Sequence, residues 1–153
     1  MEIIIQIEIE LNCGVSQAFN LFTVNEKLES WLPEKAEVEL KVGGKYELFW
    51  EPKNREINST IGCKITSLEK NKFISFEWKG PEKFQSFMNF SDPLTHVVVI
   101  FSPKCDDPKT TTLYLFHSGW KDDPDWQKAR EYFENSWTGA LTNLKEKLSI
   151  KPT

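Results

Sequence analysis

Asp123-Pro124-Asp125-Trp126-Gln127-Lys128-Ala129-Arg130, running on to Leu148, is the stretch that decides the architecture. Asp123 can cap a helix, Pro124 suits the first helical position, and Asp125 complements the positive end of a helix dipole. Trp126, Ala129, Phe133, Trp137, Ala140, Leu141, Leu144 and Leu148 then recur at the spacing of one helical face. Lys145, Lys147 and Lys151 gather near the negative end, and Pro152 cannot extend it. The spacing predicts one helix over residues 124–148, roughly 35–40 Å long at about 1.5 Å per residue. Gly139 is its weak point, since a mid-helix Gly costs about 1 kcal/mol relative to Ala. A close approach by another element is the expected reason for it.

A helix with one apolar stripe needs an apolar surface to cover it. The rest of the chain supplies a sheet. In residues 2–11 the odd positions Ile3, Ile5, Ile7, Ile9 and Leu11 are apolar, while Glu2, Gln6, Glu8 and Glu10 take the other face. That is the period of a half-buried strand. Cys13-Gly14 breaks it, and Ser16 is a candidate cap for a short helix carrying Phe19 and Phe22. Thr23 and Glu26 have capping-box spacing, which predicts a second short helix holding Leu28 and Trp31 and ending before Pro33. Further strands are expected at 36–42, at 46–50 after the Gly43-Gly44 turn, at 61–65, 74–78, 95–102 and 110–118. Residues 80–94 are the least regular, and hold Phe84, Phe87, Met88, Phe90 and Pro93. The fold class is therefore α+β: a curved antiparallel sheet around a long C-terminal helix, with two short helices after the first strand.

The chain has 153 residues, which suits one domain over 1–153. Its net charge is −4, without the basic stripe that a phosphate backbone demands, so nucleic-acid binding is not expected. The three cysteines, Cys13, Cys63 and Cys105, form no Cys-x-x-Cys pair, and an odd number suits a reducing compartment. No run approaches the roughly 20 apolar residues of a membrane span. The start of the chain alternates and carries acids, unlike a signal peptide. These features point to a cytoplasmic protein.

Alternation places Trp50, Phe76 and Trp78 on the sheet face towards the helix, with Phe133 and Trp137 opposite. Six Trp exceed what a core of this size needs, so these rings are candidates for a ligand cavity as well as for plain packing. Phe22 and Trp31 should plug one end of that cavity, and Met88 and Phe90 are candidates for its mouth or lid. His117, just before Gly119-Trp120, ends an apolar strand; facing a cavity it would orient a ligand or transfer a proton, and otherwise it is a structural residue. His96 opens the preceding strand, and the two histidines are expected to lie far apart along the ladder. Two histidines cannot build a His-rich metal site. No nucleophile elbow or phosphate-binding loop occurs, so no cofactor is implied.

Several stretches resemble the family named for the C-terminal domain of the activator of the 90-kDa heat-shock-protein ATPase, within the START-like helix-grip superfamily. They are Val15-Ser16-Gln17-Ala18-Phe19 with Thr23, Leu28 and Trp31; Val42-Gly43-Gly44-Lys45-Tyr46; Phe76-Glu77-Trp78; Thr111-Thr112-Leu113; His117-Ser118-Gly119-Trp120; and Trp137, Leu141, Leu144 and Leu148. The resemblance implies a helix-grip fold with a cavity between sheet and helix. The expected function is non-catalytic binding of a small apolar or amphipathic molecule by Trp31, Trp50, Phe76, Trp78, Met88, Phe90, His117, Trp120, Phe133 and Trp137. Two alternatives stand beside it: a protein-partner or chaperone-associated module, and an aromatic cyclase or dehydratase using His117.

Overall fold

The computed structural model describes residues 3–150. Strand β1 spans Ile5–Leu11, so Ile3 falls before it and is half exposed; Glu2, Lys151 and Pro152 lie outside the described residues. Helices α1 (Val15–Thr23) and α2 (Asn25–Glu29) follow. Their caps differ from expectation. Gly14, not Ser16, occupies the start of α1, and Thr23 is the last residue of α1. Its hydroxyl donates to the Phe19 carbonyl at 2.9 Å, so it cannot cap α2, and Val24 takes that position. Trp31 falls just beyond α2.

Strands β2 (Lys35–Val38) and β3 (Tyr46–Phe49) pair as a hairpin. Its turn needs both glycines: Gly43 has φ +83°, and a Cβ on Gly44 would stand 2.3 Å from the Glu39 carbonyl. Strands β4 (Ile65–Glu69), β5 (Phe73–Trp78), β6 (Thr95–Lys104) and β7 (Asp107–Ser118) join β1 in an antiparallel sheet of order β1-β7-β6-β5-β4. Ile61 and Cys63 lie in a loop before β4, not in a strand, and single bridges Lys45–Lys64 and Phe49–Ser59 connect the hairpin to this region. A short 3-10 turn (Glu82–Phe84) and helix α3 (Gln85–Met88) occupy the irregular segment.

The register lays the inner face out in rows. Phe76, Val97, His117 and Ile5 form one; Ile74, Val99, Leu115 and Ile7 form the next. Helix α4, Pro124–Ser149, is unbroken and covers this face with Trp126, Ala129, Phe133, Trp137, Leu141 and Leu144 buried. Asp123 caps it by accepting from the backbone N–H of Asp125 at 2.9 Å and of Trp126 at 3.5 Å. This is a helix-grip arrangement. No helix among the described residues is long and apolar enough to cross a membrane.

Gly139 corrects one expectation. It faces solvent, and among the described residues nothing outside its own helix backbone lies within 4 Å of where a Cβ would stand. No close approach explains it, nor does anything else in the structure. Gly139→Ala is therefore expected to stabilise the protein by about 0.4–1 kcal/mol. The gain should appear as a raised urea midpoint with an unchanged m-value.

Candidate functional site

A straight helix laid on a twisted sheet cannot touch it everywhere. Beside the end of β5 the two surfaces part, leaving a half-open cleft of about 500 Å³. One wall comes from α4, where Tyr132, Ser136, Ala140 and Asn143 run alongside Phe133 and Trp137. The facing wall is Trp78, Lys79, Gly80 and Pro81, where β5 runs out. Trp50, Asn58 and Ser59 close one side, and Trp31 and Leu32 the other.

The rings hold one another in place. Trp78 lies 5.0 Å from Trp137 and stands edge-on to Trp50 at 6.0 Å and Phe133 at 6.5 Å, centroid to centroid. Such offset and edge-to-face contacts are the favourable ones for aromatic quadrupoles. Trp31 packs edge-on against Phe22 at 5.0 Å, and its Nε1–H donates to the Leu21 carbonyl at 2.8 Å. Trp50 is 39% exposed and forms the rim.

Trp31, Trp50, Trp78, Phe133 and Trp137 thus meet around one space. The other five sequence-derived candidates do not line it. Phe76 lies deeper, stacked on Tyr46 with centroids 3.8 Å apart. Met88 is buried under Gly80, where a Cβ would meet its sulfur at 2.6 Å, so it is core and not lid. Phe90, two residues past the end of α3, is 82% exposed and is not among the residues that line the cleft. Trp120 is buried, its Nε1–H donating to the His117 carbonyl at 2.9 Å. The polar lining residues Asn58, Ser59, Lys79, Tyr132, Ser136 and Asn143 escaped sequence reasoning. The helical ones sit at i, i+4 and i+11 beside the apolar stripe, and that spacing was the available signal.

His117 is fully buried between Trp120, Phe133 and Trp137. An indole N–H only donates, so the Trp137 Nε1–H must give its hydrogen to His117 Nδ1, 3.1 Å away. The neutral ring then carries its own proton on Nε2, which donates to Thr95 Oγ1 at 3.0 Å. The Thr95 hydroxyl passes its hydrogen to the Trp78 carbonyl at 3.4 Å. Both imidazole nitrogens are therefore engaged inside the core, and neither faces the cleft. His117 acts on the cleft through Trp137, as a positioning residue. His96 is its neighbour in the ladder, since His96 pairs with Ser118 and His117 with Val97, and the two face opposite sides of the sheet. His96 Nε2 lies 2.7 Å from Thr66 Oγ1 on the outer side. Among the described residues no three His, Cys, Asp or Glu side chains gather as metal ligands.

A sheet closed over a C-terminal helix, with an aromatic cleft between them, defines a helix-grip protein of the START-like class. The chain belongs to the Activator of Hsp90 ATPase homolog 1-like family, whose pattern matches residues 12–149. Solved structures agree with the fold. A protein from Mesorhizobium loti has a TM-score of 0.75 at 17% identity, covering 99% of this chain and 100% of its own. An HSP90 activator from Plasmodium falciparum has a TM-score of 0.72 at 27% identity, covering 95% of each chain. The solution structure of the Aha1 dimer from Colwellia psychrerythraea gives 0.72 at 18%, covering 97% of each. No curated protein matches this chain at a significant level.

Burial pushes the His117 imidazole down to about 3, and the neighbouring His96 acts in the same direction. Burial also lowers His96. Below the ordinary imidazole range, about 6.5, the unfolded chain binds protons that the native histidines refuse. Stability is then expected to fall as pH drops from 6.5 towards 3, by up to about 1.4 kcal/mol per pH unit for His117. Urea melts from about pH 7.5 to 5 should show the decline, and His117→Gln should flatten it. A slope as steep in the variant as in the native protein would contradict the buried neutral ring.

Proposed function

We propose that the protein binds a small apolar or amphipathic molecule in the cleft between β5 and α4. One observation carries the reading: six aromatic side chains from four separate parts of the chain converge on a half-open space of about 500 Å³. That volume lies within the roughly 300–1,000 Å³ of ligand pockets, which are mostly apolar with a few placed polar groups. Binding is driven by apolar area removed from water, at about 25 cal/mol per Å². The protein acts as a carrier or sensor of the molecule and not as its catalyst, since His117 is withdrawn from the cleft. Nile red, a neutral apolar dye, should bind with micromolar affinity and quench Trp fluorescence. Trp50→Ala should weaken it about tenfold, or about 1.4 kcal/mol. Phe90→Ala, away from the cleft, should leave it unchanged. A dye that ignores the folded protein would remove the basis of this reading.

A second reading is a partner module for a 90-kDa heat-shock-protein ATPase. Family membership favours it, and so does the outer face of the sheet. There the register brings Phe73, Ile100 and Tyr114 into one row, with Val98 and Phe116 in the next. These side chains are partly exposed, Ile100 by 38%. Glu8 and Gln6 of β1 end the two rows. Contiguous exposed apolar residues with a polar rim mark interaction surfaces. On this reading the chain raises the chaperone's ATPase rate in a coupled assay, and Ile100→Asp abolishes the increase while Trp50→Ala does not.

A further inference from the structure

The side of the cleft that carries Trp50 is loosely held. Residues 51–56 are exposed throughout, and the anchors of this loop run mostly back to its own hairpin. Phe49 bridges Ser59, the Trp50 N–H donates to the Asn58 carbonyl at 3.1 Å, and Arg55 pairs with Glu37 on β2. Segments with few buried contacts open locally at low cost. The adjoining wall is fixed by comparison. Asn89 brackets Gly80, its Oδ1 accepting from the Gly80 N–H at 2.7 Å and its Nδ2 donating to the Gly80 carbonyl at 3.2 Å. Beyond Pro81 the chain is docked on α4 by Phe84 against Tyr132 at 5.4 Å and by Phe87 against Trp126 at 5.2 Å, centroid to centroid.

Asn58 joins the loose side to the fixed one. It lines the cleft, and its Oδ1 accepts from the Glu82 N–H at 2.8 Å. Glu82 opens the 3-10 turn, where a backbone N–H has no partner within the turn itself. Among the described residues this is the one hydrogen bond between residues 50–59 and residues 80–94. The other end of the amide is also engaged, with Nδ2 donating to Glu51 Oε2 at 3.1 Å. The Asn58 backbone has φ +49°, a left-handed conformation uncommon outside Gly, Asn and Asp. The residue type is thus specified twice: by its backbone, and by an amide that must accept on one side and donate on the other.

We infer that Asn58 sets the width of the cleft, and through it the size of ligand admitted, by bracing the Trp50 side against the Gly80–Pro81 wall. The inference rests on the apolar-binding reading and names the positioning residue for its size selectivity. With the brace cut, the Trp50 side swings outwards; a narrow ligand then loses contact with one wall, while a broad one gains room. The test uses two neutral competitors of Nile red, 2-naphthylmethanol and the broader 1-pyrenemethanol. Asn58→Gly tolerates the backbone conformation and removes both amide bonds. It should shift the ratio of the two affinities about fivefold towards 1-pyrenemethanol. A general loss of stability would weaken both probes alike and leave the ratio unmoved. Asn58→Asp combined with Glu51→Gln rebuilds both bonds, with donor and acceptor exchanged in the second, and should restore the native ratio. Without any ligand, the Trp50 amide should exchange with solvent about tenfold faster in Asn58→Gly, and at the native rate in the double variant. An unchanged ratio or an unchanged exchange rate in Asn58→Gly overturns the inference, as does a double variant that behaves like Asn58→Gly. In each of those cases Nile red still bound by the native protein leaves the apolar-binding reading standing. If Nile red does not bind the native protein, that reading fails and the size-selecting role falls with it.

Discussion

The bond from Trp137 to His117 is the constraint on which the rest of the molecule depends. It ties α4 to the sheet by something other than apolar contact. Hydrophobic burial tolerates sliding and rotation of a helix, whereas a buried donor must find its acceptor or lose the free energy of the bond. One donor fixes one imidazole tautomer, and the chain of bonds continues through Thr95 to the Trp78 carbonyl. A single helix position is thereby coupled to β7, β6 and β5. Because both Trp137 and Trp78 line the cleft, the same chain that sets the register of the helix also sets the spacing of the cleft walls.

The geometry of the cleft follows from that anchorage. Around His117 the helix is held close, with Phe133 and Trp120 filling the gaps. Past the end of β5 the sheet runs out, and Gly80 and Pro81 turn the chain towards the 3-10 turn and α3. The space left there is open because no strand continues under α4. Trp50 and Trp31 reach it from the hairpin and from the end of α2, narrowing it without closing it.

Period and capping made the long helix and most strands legible before any coordinates. Trp126 to Leu144 repeat at helical spacing, and Ile5 to Leu11 alternate without exception. What failed was local. Thr23 matches a capping box, but its hydroxyl had a nearer acceptor in its own helix. Ile61 and Cys63 alternate like a strand, yet the chain there bends through a loop. The site was half legible for a related reason. Alternation tells which face a ring takes, so Trp78, Phe133 and Trp137 were found. It does not tell how deep along the element a ring sits, so Phe76 and His117 were placed in the cleft when they lie behind it. Tyr132, Ser136 and Asn143 were overlooked because a helix side chain half in solvent carries no apolar signature.

The buried and the exposed parts of the cleft lining differ in how freely they can vary. Trp78, Phe133 and Trp137 belong to the folding core, and a truncation there loses contacts throughout the interior. Ser136 and Asn143 stand in solvent on the α4 rim, where most substitutions change stability by less than about 0.5 kcal/mol. On the proposed ligand-binding reading, relatives sharing this scaffold acquire new ligand preferences by drift along one solvent-facing stripe of helix, with the buried lining left as inherited. Diversity of recognition within such a family need not register as diversity of fold.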